Sequence, residues 1–296
     1  MELPHSSPLP DDDSEALFAA AREGAALCTV VGIEGSWSRR LGAQLAVLPD
    51  GTSVVAAALV ENNVPFAMTV VARGTDLTQR DGRGWQLVHV AAASGNADLV
   101  KMVLSKGVDP NTMTQPPPSA SPQPALNAAP AAGGGGQPPK KRALEAAEYL
   151  LPPPPAPTPP LLIAARAGSI EAMKVLIAAG AKPDAKAEDG LTLPLAAAGS
   201  GNLEALKYAL ALVPDINALS QGGKSIMHMA LANRTAPPAD TEAIVTYLAD
   251  KGAALNIKDE HNIAPGDYIN RVGPEEVRVF YKQMLKDRGV TASTAH

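Results

Sequence analysis

A pattern that recurs at a fixed interval of about 33 residues is the feature that most constrains the fold of this chain. Within the stretch 189–217, Ala197 returns one interval earlier as Ala164 and one interval later as Ala230. Repetition at such a period is typical of stacked supersecondary units. Because one unit cannot bury its own apolar face, the pattern predicts a row of units that cover one another.

Composition narrows the type of unit and the class of partner. Hydrophobic residues make up 46% of the 296 residues and aromatic residues only 3%, which favours close-packed helices over a β-sandwich. The net charge of −5 gives no field that would collect nucleic acid or an anionic membrane. Cys28 is the single cysteine, which excludes an internal disulfide and a thiolate metal site. With no signal-peptide pattern and no apolar run of membrane-spanning length, we expect a cytoplasmic protein.

Breaks in the repeat divide the chain into six segments. One interval between equivalent alanines, from Ala91 to Ala164, is more than twice as long as the others, and the excess is rich in Pro, Gly and Ala. Such a composition predicts a disordered insert, in which only Lys140 to Leu151 favours a helix. The predicted segments are a disordered tail (1–13), an N-terminal segment (14–49), two units (50–111), the insert (112–158), four units with a C-terminal cap (159–288) and a disordered tail (289–296).

Both ends of the repeat unit carry capping residues. A glycine follows the second helix, where a left-handed conformation ends helices. A hydroxyl residue before the first helix can cap the free amides of that helix. In two units a histidine stands three residues after this capping position. The glycines are Gly107, Gly180 and Gly252, the hydroxyl residues are Thr192 and Ser225, and the histidines are His89 and His228.

These positions resemble the ankyrin-repeat signature, Gly-x-Thr-Pro-Leu-His-x-Ala-Ala. The resemblance covers roughly Asp50 to Asn111 and Pro159 to Ile269, in several imperfect copies that share one register. It implies an all-α solenoid of about six helix-turn-helix units. It also implies that His89 and His228 hydrogen-bond the neighbouring hairpin, a structural role that we favour over catalysis or metal binding.

The N-terminal segment follows a different pattern. Two β-prone runs, Leu27 to Val31 and Gln44 to Leu48, predict two short strands. Residues from about 21 to 51 resemble the start of XdhC/CoxI-family proteins, accessory factors in the maturation of molybdenum hydroxylases, although Ser38 replaces a proline of that pattern. An alternative interpretation treats the segment as a degenerate capping repeat. The residues that carry the resemblance are Thr29-Val30-Val31, Gly35-Ser36, Arg39, Gly42 to Val47 and Asp50-Gly51.

We expect no catalytic residue, metal or cofactor, because no cluster has the spacing of ligands or of a catalytic set. The ankyrin resemblance instead implies a monomeric scaffold that contacts an unidentified protein partner through its hairpin tips. Trp85 is included because a large aromatic exposed at a tip is a common interface anchor. The predicted contact residues are Arg80, Arg83, Trp85, Lys186, Glu188, Gln221, Lys258 and Glu260.

Two other hypotheses remain open from the sequence. The XdhC/CoxI resemblance implies a maturation factor for a molybdenum hydroxylase. Alternatively, the chain is a fused or mispredicted reading frame without integrated function, joined at Asp50-Gly51, a dipeptide that both patterns share. Detecting one intact polypeptide of 30.4 kDa in the source cell would dispose of the second hypothesis.

Overall fold

The computed structural model describes residues 27–29, 44–46, 55–56, 58–59, 63–72, 76–81, 84–115, 156–233 and 235–290. Within these ranges eleven helices are complete, and residues 55–56 and 58–59 are also helical. The helices are α1 (Val64–Ala72), α2 (Leu87–Ser94), α3 (Ala97–Ser105), α4 (Pro160–Arg166), α5 (Ile170–Ala178), α6 (Leu193–Ala198), α7 (Leu203–Leu212), α8 (Ile226–Ala232), α9 (Pro238–Asp250), α10 (Pro265–Val272) and α11 (Glu275–Asp287).

The helices form two parallel rows. In the inner row, α2, α4, α6, α8 and α10 each contact the next member, and in the outer row the same is true of α1, α3, α5, α7, α9 and α11. Each inner helix also packs on the outer helix that follows it. The fold is therefore an all-α solenoid of helix pairs, as predicted, and the stack is continuous from α2 to α4 across the insert.

Small residues at equivalent inner-helix positions allow the helices to approach closely. Ala91, Ala164 and Ala197 are fully buried, and Ala230 is 2% exposed. The repeat identified in the sequence thus corresponds to one repeated environment in the core. Because an inner helix of six to eight residues is too short to be stable alone, packing on both neighbours stabilises it.

Side chains that precede the second helices link successive units. Each donates to a glycine carbonyl of the preceding unit, and Ser169 and Asn202 also accept a bond from the first turn of the helix that they cap. One residue thus caps a helix and joins two units. The bonds between units are Ser169 Oγ to Gly95 O (2.7 Å), Asn202 Nδ2 to Gly168 O (2.9 Å) and Asn233 Nδ2 to Gly199 O (2.9 Å).

The second helices end as the sequence predicts. Gly107, Gly180 and Gly252 have φ angles of 86°, 97° and 85°, in the left-handed region that disfavours side chains with a Cβ atom. The chain then turns into a short hairpin that leads to the next unit.

Five such hairpins, which we call fingers 1 to 5, project from the stack. Each is closed by a backbone N–H that donates to the carbonyl of a residue on the opposite arm. The fingers are finger 1 (80–86, Asp81 to Trp85), finger 2 (113–115 with 156–159, Thr114 to Thr158), finger 3 (186–192, Ala187 to Leu191), finger 4 (219–225, Ser220 to Lys224) and finger 5 (258–264, Asp259 to Ile263).

Finger 2 contains the insert. The Thr114 N–H donates to the Thr158 carbonyl at 3.0 Å, and the Thr158 N–H donates to Thr114 Oγ1 at 2.9 Å. Residues 115–157 therefore replace the three-residue tip of the other fingers. The predicted boundaries of the insert need correction, because residues 112–115 and 156–158 belong to the stack. The rest of the insert, including the helix predicted at Lys140 to Leu151, lies outside the described residues.

In the N-terminal segment, strands β1 (Leu27–Thr29) and β2 (Gln44–Ala46) form an antiparallel pair in which Cys28 lies opposite Leu45. The prediction of two short strands is confirmed. The predicted tail 1–13 lies outside the described residues. At the other end, Gly289 and Val290 donate backbone bonds to α11, so these two residues belong to the last unit and not to the predicted C-terminal tail; residues 291–296 are not described.

Candidate functional site

The fingers present one face to solvent through the alternation of their side chains. In finger 3, Ala187 is 5% exposed and points into the stack, whereas its neighbours Lys186 and Glu188 are exposed. Finger 5 repeats this arrangement, with Asp259 buried between Lys258 and Glu260. Because side chains alternate along an extended arm, the two outer positions of each arm share the solvent-facing side.

Five of the eight predicted contact residues lie on this solvent-facing side. Lys186, Glu188, Gln221, Lys258 and Glu260 are all exposed, on three consecutive fingers. The structure thus brings them onto one continuous edge of the solenoid. Arg83 lies outside the described residues.

Arg80 is half-buried and has a structural role. Its Nη1 donates to the carbonyls of Gly84 and Met113, each at 3.0 Å. The guanidinium therefore joins finger 1 to finger 2, and we withdraw Arg80 from the set of contact residues.

The prediction that Trp85 is exposed is wrong. Its side chain is 1% exposed, and its ring lies 6.4 Å from the ring of His89, centroid to centroid. The equivalent residues of two other fingers, Leu191 and Ile263, are also apolar, and Leu191 is buried. The apolar residues at this position in the other fingers were the sequence signal that the Trp85 side chain faces inward.

Leu219 is a surface residue that the sequence analysis missed. Its side chain is 45% exposed in finger 4, at the position that Lys186 occupies in finger 3. Among the described residues, only Leu219 and Val279 are large hydrophobic residues with such exposure. Within the fold Leu219 has no evident packing role that requires an apolar side chain.

Both histidines make the predicted bond to a neighbouring hairpin. The N–H of Gln86 donates to Nδ1 of His89 at 3.0 Å, so the ring proton is on Nε2, which donates to the Thr112 carbonyl at 2.8 Å. His228 repeats this arrangement, with Nδ1 bonded by Ser225 and Nε2 at 3.0 Å from the Ile263 carbonyl. The His89 ring thus joins α2 to Thr112, which leads into finger 2, and the His228 ring joins α8 to finger 5.

Burial controls the ionisation of both rings. It lowers the pKa of His89 from 6.5 to about 4, an effect that the bonds to Thr112 and Gln86 only partly offset. Burial likewise lowers the pKa of His228 below its usual value. Both rings are therefore neutral at pH 7, in the form that their hydrogen bonds require.

The unit that begins with Thr192 lacks this histidine. Leu195 occupies the equivalent position and is buried, and Oγ1 of Thr192 is the one buried side-chain polar atom without a hydrogen-bond partner in the described part of the chain. In the next unit, Oγ of Ser225 lies 2.9 Å from Nδ1 of His228. The Thr192 hydroxyl lacks a partner because leucine has replaced the acceptor.

Two kinds of site are absent from the described part of the chain. Across the described ranges, no three His, Cys, Asp or Glu side chains are grouped so that they could hold a metal ion. None of the described helices is long and apolar enough to cross a membrane. Fingers 3 to 5 expose ammonium, carboxylate, amide and aliphatic side chains.

Comparison with protein families identifies the repeats. A family model described as Ankyrin repeats (3 copies) matches residues 161–259, and a model described as Ankyrin repeat matches residues 83–115. Both matches coincide with helix pairs of the stack. The stacked part of this chain is an ankyrin-repeat solenoid.

Several known proteins match part of this chain. Alpha-latrotoxin-Lt1a of Latrodectus tredecimguttatus is 38% identical over 71 residues, which are 23% of this chain and 5% of the toxin. Potassium channel AKT1 of Arabidopsis thaliana is 28% identical over 99 residues, 33% of this chain and 11% of the channel. Protein phosphatase 1 regulatory subunit 27 of Homo sapiens is 30% identical over 76 residues, 25% of this chain and 49% of that subunit. The chain thus spans less than half the length of each.

The N-terminal segment matches a second family. The model of the XdhC and CoxI family covers residues 18–64, which agrees with the resemblance drawn from the sequence. The match continues beyond Gly51 into the helical residues 55–56 and 58–59, whose side chains are buried. The described residues 55–56, 58–59 and 63–64 therefore belong both to this match and to the first unit of the stack.

Proposed function

We propose that this protein is a non-catalytic scaffold that binds a protein partner through fingers 3 to 5. The proposal rests on one observation, the exposure of polar and apolar side chains at equivalent positions of three consecutive fingers. Because these side chains stand on a packed stack, the binding surface is preformed and little conformational entropy is lost on binding.

Two further features support this proposal. Each finger is tied to the preceding one by a backbone bond, as from Gln221 N to Asp189 O at 2.8 Å, so the surface is a connected sheet of hairpins. One relative, which is 30% identical over 76 residues, is named as a regulatory subunit of protein phosphatase 1.

Photo-cross-linking in the source cell tests the proposal. A photoreactive amino acid replaces Gln221 on finger 4, and in a control protein it replaces Lys174, which is half exposed on the outer helix α5. We expect a cross-linked protein adduct from position 221 and none of the same mass from position 174. Adducts from position 174 alone would place the binding surface on the outer helices and overturn the proposal.

A second candidate function is supported by the family match of residues 18–64, that of an accessory factor in the maturation of a molybdenum hydroxylase. This function predicts that the purified full-length chain binds the molybdenum cofactor and that removal of residues 14–52 abolishes binding. If the full-length chain does not bind the cofactor, this candidate is eliminated and the scaffold proposal is unaffected.

A further inference from the structure

Three exposed residues occupy the same position on consecutive fingers and alternate in character. Lys186 of finger 3, Leu219 of finger 4 and Lys258 of finger 5 each stand one residue before the arm residue whose N–H closes the finger. They form a row in which an exposed leucine lies between two exposed ammonium groups. We call these three residues the outer row.

Finger geometry sets the spacing within the outer row. Each finger contributes two arms, and a backbone bond joins it to the preceding finger, as from Glu260 N to Gly222 O at 3.1 Å. Hydrogen-bonded arms lie about 4.8 Å apart, so one finger follows the next at roughly 10 Å. A polyproline II chain rises about 3.1 Å per residue with three residues per turn, so every third side chain lies on the same face, at roughly the spacing of one finger.

The charges of the outer row are available to a partner. Neither Lys186 nor Lys258 has an ion-pair partner among the described side chains, although Glu188 and Glu260 lie two residues further along each finger. Glu260 instead lies 3.9 Å from Nδ1 of His261, at the tip of its own finger. A partner that follows the outer row therefore meets ammonium, aliphatic and ammonium groups in that order.

We propose that the outer row binds a protein segment in the polyproline II conformation with the order acidic, apolar, acidic at intervals of three residues. This inference rests on the proposed scaffold function and specifies the partner's chemistry. The central apolar side chain covers Leu219, and the two carboxylates pair with Lys186 and Lys258. A segment in which each charge lies only two residues from the apolar residue cannot reach both lysines while it covers the leucine.

Fluorescence anisotropy with labelled synthetic peptides and the full-length chain tests the inference. The probe is Gly-Asp-Ser-Ser-Leu-Ser-Ser-Asp-Gly, and the spacing control is Gly-Asp-Ser-Leu-Ser-Asp-Gly. We expect the probe to bind at least about tenfold more tightly than the control, because the control loses either the apolar contact with Leu219 or one of the ion pairs. Binding should weaken as salt is added, because exposed ion pairs are screened.

Variants assign the binding to the outer row. Leu219→Ser should weaken probe binding by about tenfold, since it removes the apolar contact. The double variant Lys186→Glu with Lys258→Glu should lose the probe and bind instead a peptide in which lysine replaces both aspartates. Lys174→Glu with Lys207→Glu, on the outer helices, is the matched charge control and should leave probe binding unchanged.

Three results would overturn the inference. The first is equal binding of probe and spacing control. The second is a lack of binding by the wild-type chain at about 1 mM probe. The third is a self-association that Leu219→Ser abolishes, which would make a second copy the occupant. If cross-linking from Gln221 still captures a partner, the scaffold function stands and only the stated partner chemistry fails.

Discussion

Thr114 and Thr158 lie 44 positions apart in the sequence and are joined by two hydrogen bonds, from Thr114 N to Thr158 O at 3.0 Å and from Thr158 N to Thr114 Oγ1 at 2.9 Å. Both side chains are buried, Thr114 at 3% exposure and Thr158 at 1%. In the other fingers a backbone bond between equivalent residues closes a three-residue tip. The insert is thus accommodated at the tip of a finger, where it leaves the contact between α2 and α4 intact.

The first prediction is that the stack does not need the insert. Replacing residues 115–157 by the three-residue tip of finger 3 should preserve the fold and raise the free energy of unfolding by about 2 kcal/mol, because a shorter loop costs less entropy to close. Urea unfolding followed by far-ultraviolet circular dichroism measures the difference. A lower unfolding free energy in the shortened chain would show that the insert contributes to the stack.

The second prediction concerns Trp85, now placed in the core. Trp85→Ala should lower the free energy of unfolding by about 3–5 kcal/mol, because it removes a large side chain that is 1% exposed. Lys258→Ala, on an exposed finger position, should change it by less than about 0.5 kcal/mol. Urea unfolding of both variants gives the comparison. If both variants changed the free energy of unfolding by equally small amounts, Trp85 would be exposed and not part of the core.

The third prediction is a loss of stability in mild acid that arises from His89. Its pKa is about 4 in the folded chain and near 6.5 when unfolded, so the unfolded chain binds the proton more tightly. The stability that neutral His89 contributes is fully present above pH 6.5 and is lost as the pH falls towards 4. The total loss in the free energy of unfolding is about 3 kcal/mol. Unfolding free energies from urea titrations at several pH values between 4 and 7 measure this slope.

His89→Leu is the matched variant for this pH dependence, since Leu162 and Leu195 occupy the same position in other units and are buried. The variant should lose much of the slope between pH 6.5 and 4. Carboxylates whose pKa is lowered in the folded chain, such as Asp259, lose their stabilisation mainly below about pH 4 and overlap only the acid end of this range. An unchanged slope in His89→Leu would show that His89 is not the group that titrates.

The fourth prediction compares two equivalent hydroxyls. Thr192→Val should leave stability unchanged or raise it by about 1 kcal/mol, because a buried hydroxyl without a partner is replaced by a methyl group. Ser225→Ala should instead lower stability by about 1 kcal/mol, because the Ser225 hydroxyl bonds Nδ1 of His228. Thermal unfolding of both variants and of the wild-type chain gives the order of their stabilities. Destabilisation by Thr192→Val would mean that the Thr192 hydroxyl has a partner.

The sequence predicted what depends on the register of the repeat. Equivalent alanines such as Ala91 and Ala197 are buried, and the left-handed conformations of Gly107 and Gly180 follow from local chemistry alone. Such features recur in every unit, so several imperfect copies reinforce one another. Register therefore determines helix pairing, core and finger positions together.

What the sequence did not predict depends on contacts between particular side chains. Arg80 looks like an exposed cation, yet its guanidinium bonds carbonyls on two fingers, an arrangement that only their relative position reveals. The exposure of Leu219 was equally hidden, since an apolar residue in a repeat is usually part of the core. For Trp85 the register did contain the answer, in the apolar residues Leu191 and Ile263.

Disulfide formation across the insert tests the continuous stack most directly. A Cβ built on Gly95 lies 3.1 Å from Cβ of Ser169, and one built on Gly168 lies 3.1 Å from Cβ of Asn202, so in both pairs a shift of a few tenths of an ångström brings the Cβ atoms to the roughly 3.5–4.5 Å found in disulfides. In a Cys28→Ser background, the pairs Gly95→Cys with Ser169→Cys and Gly168→Cys with Asn202→Cys are oxidised and followed by gel mobility. The two glycines have similar φ angles of 68° and 70°, so the pairs are matched in strain.

A single stack predicts that both pairs form an intramolecular disulfide at similar rates, although only the first pair spans the insert. Formation of the second disulfide without the first would mean that the units on the two sides of the insert are not packed on one another.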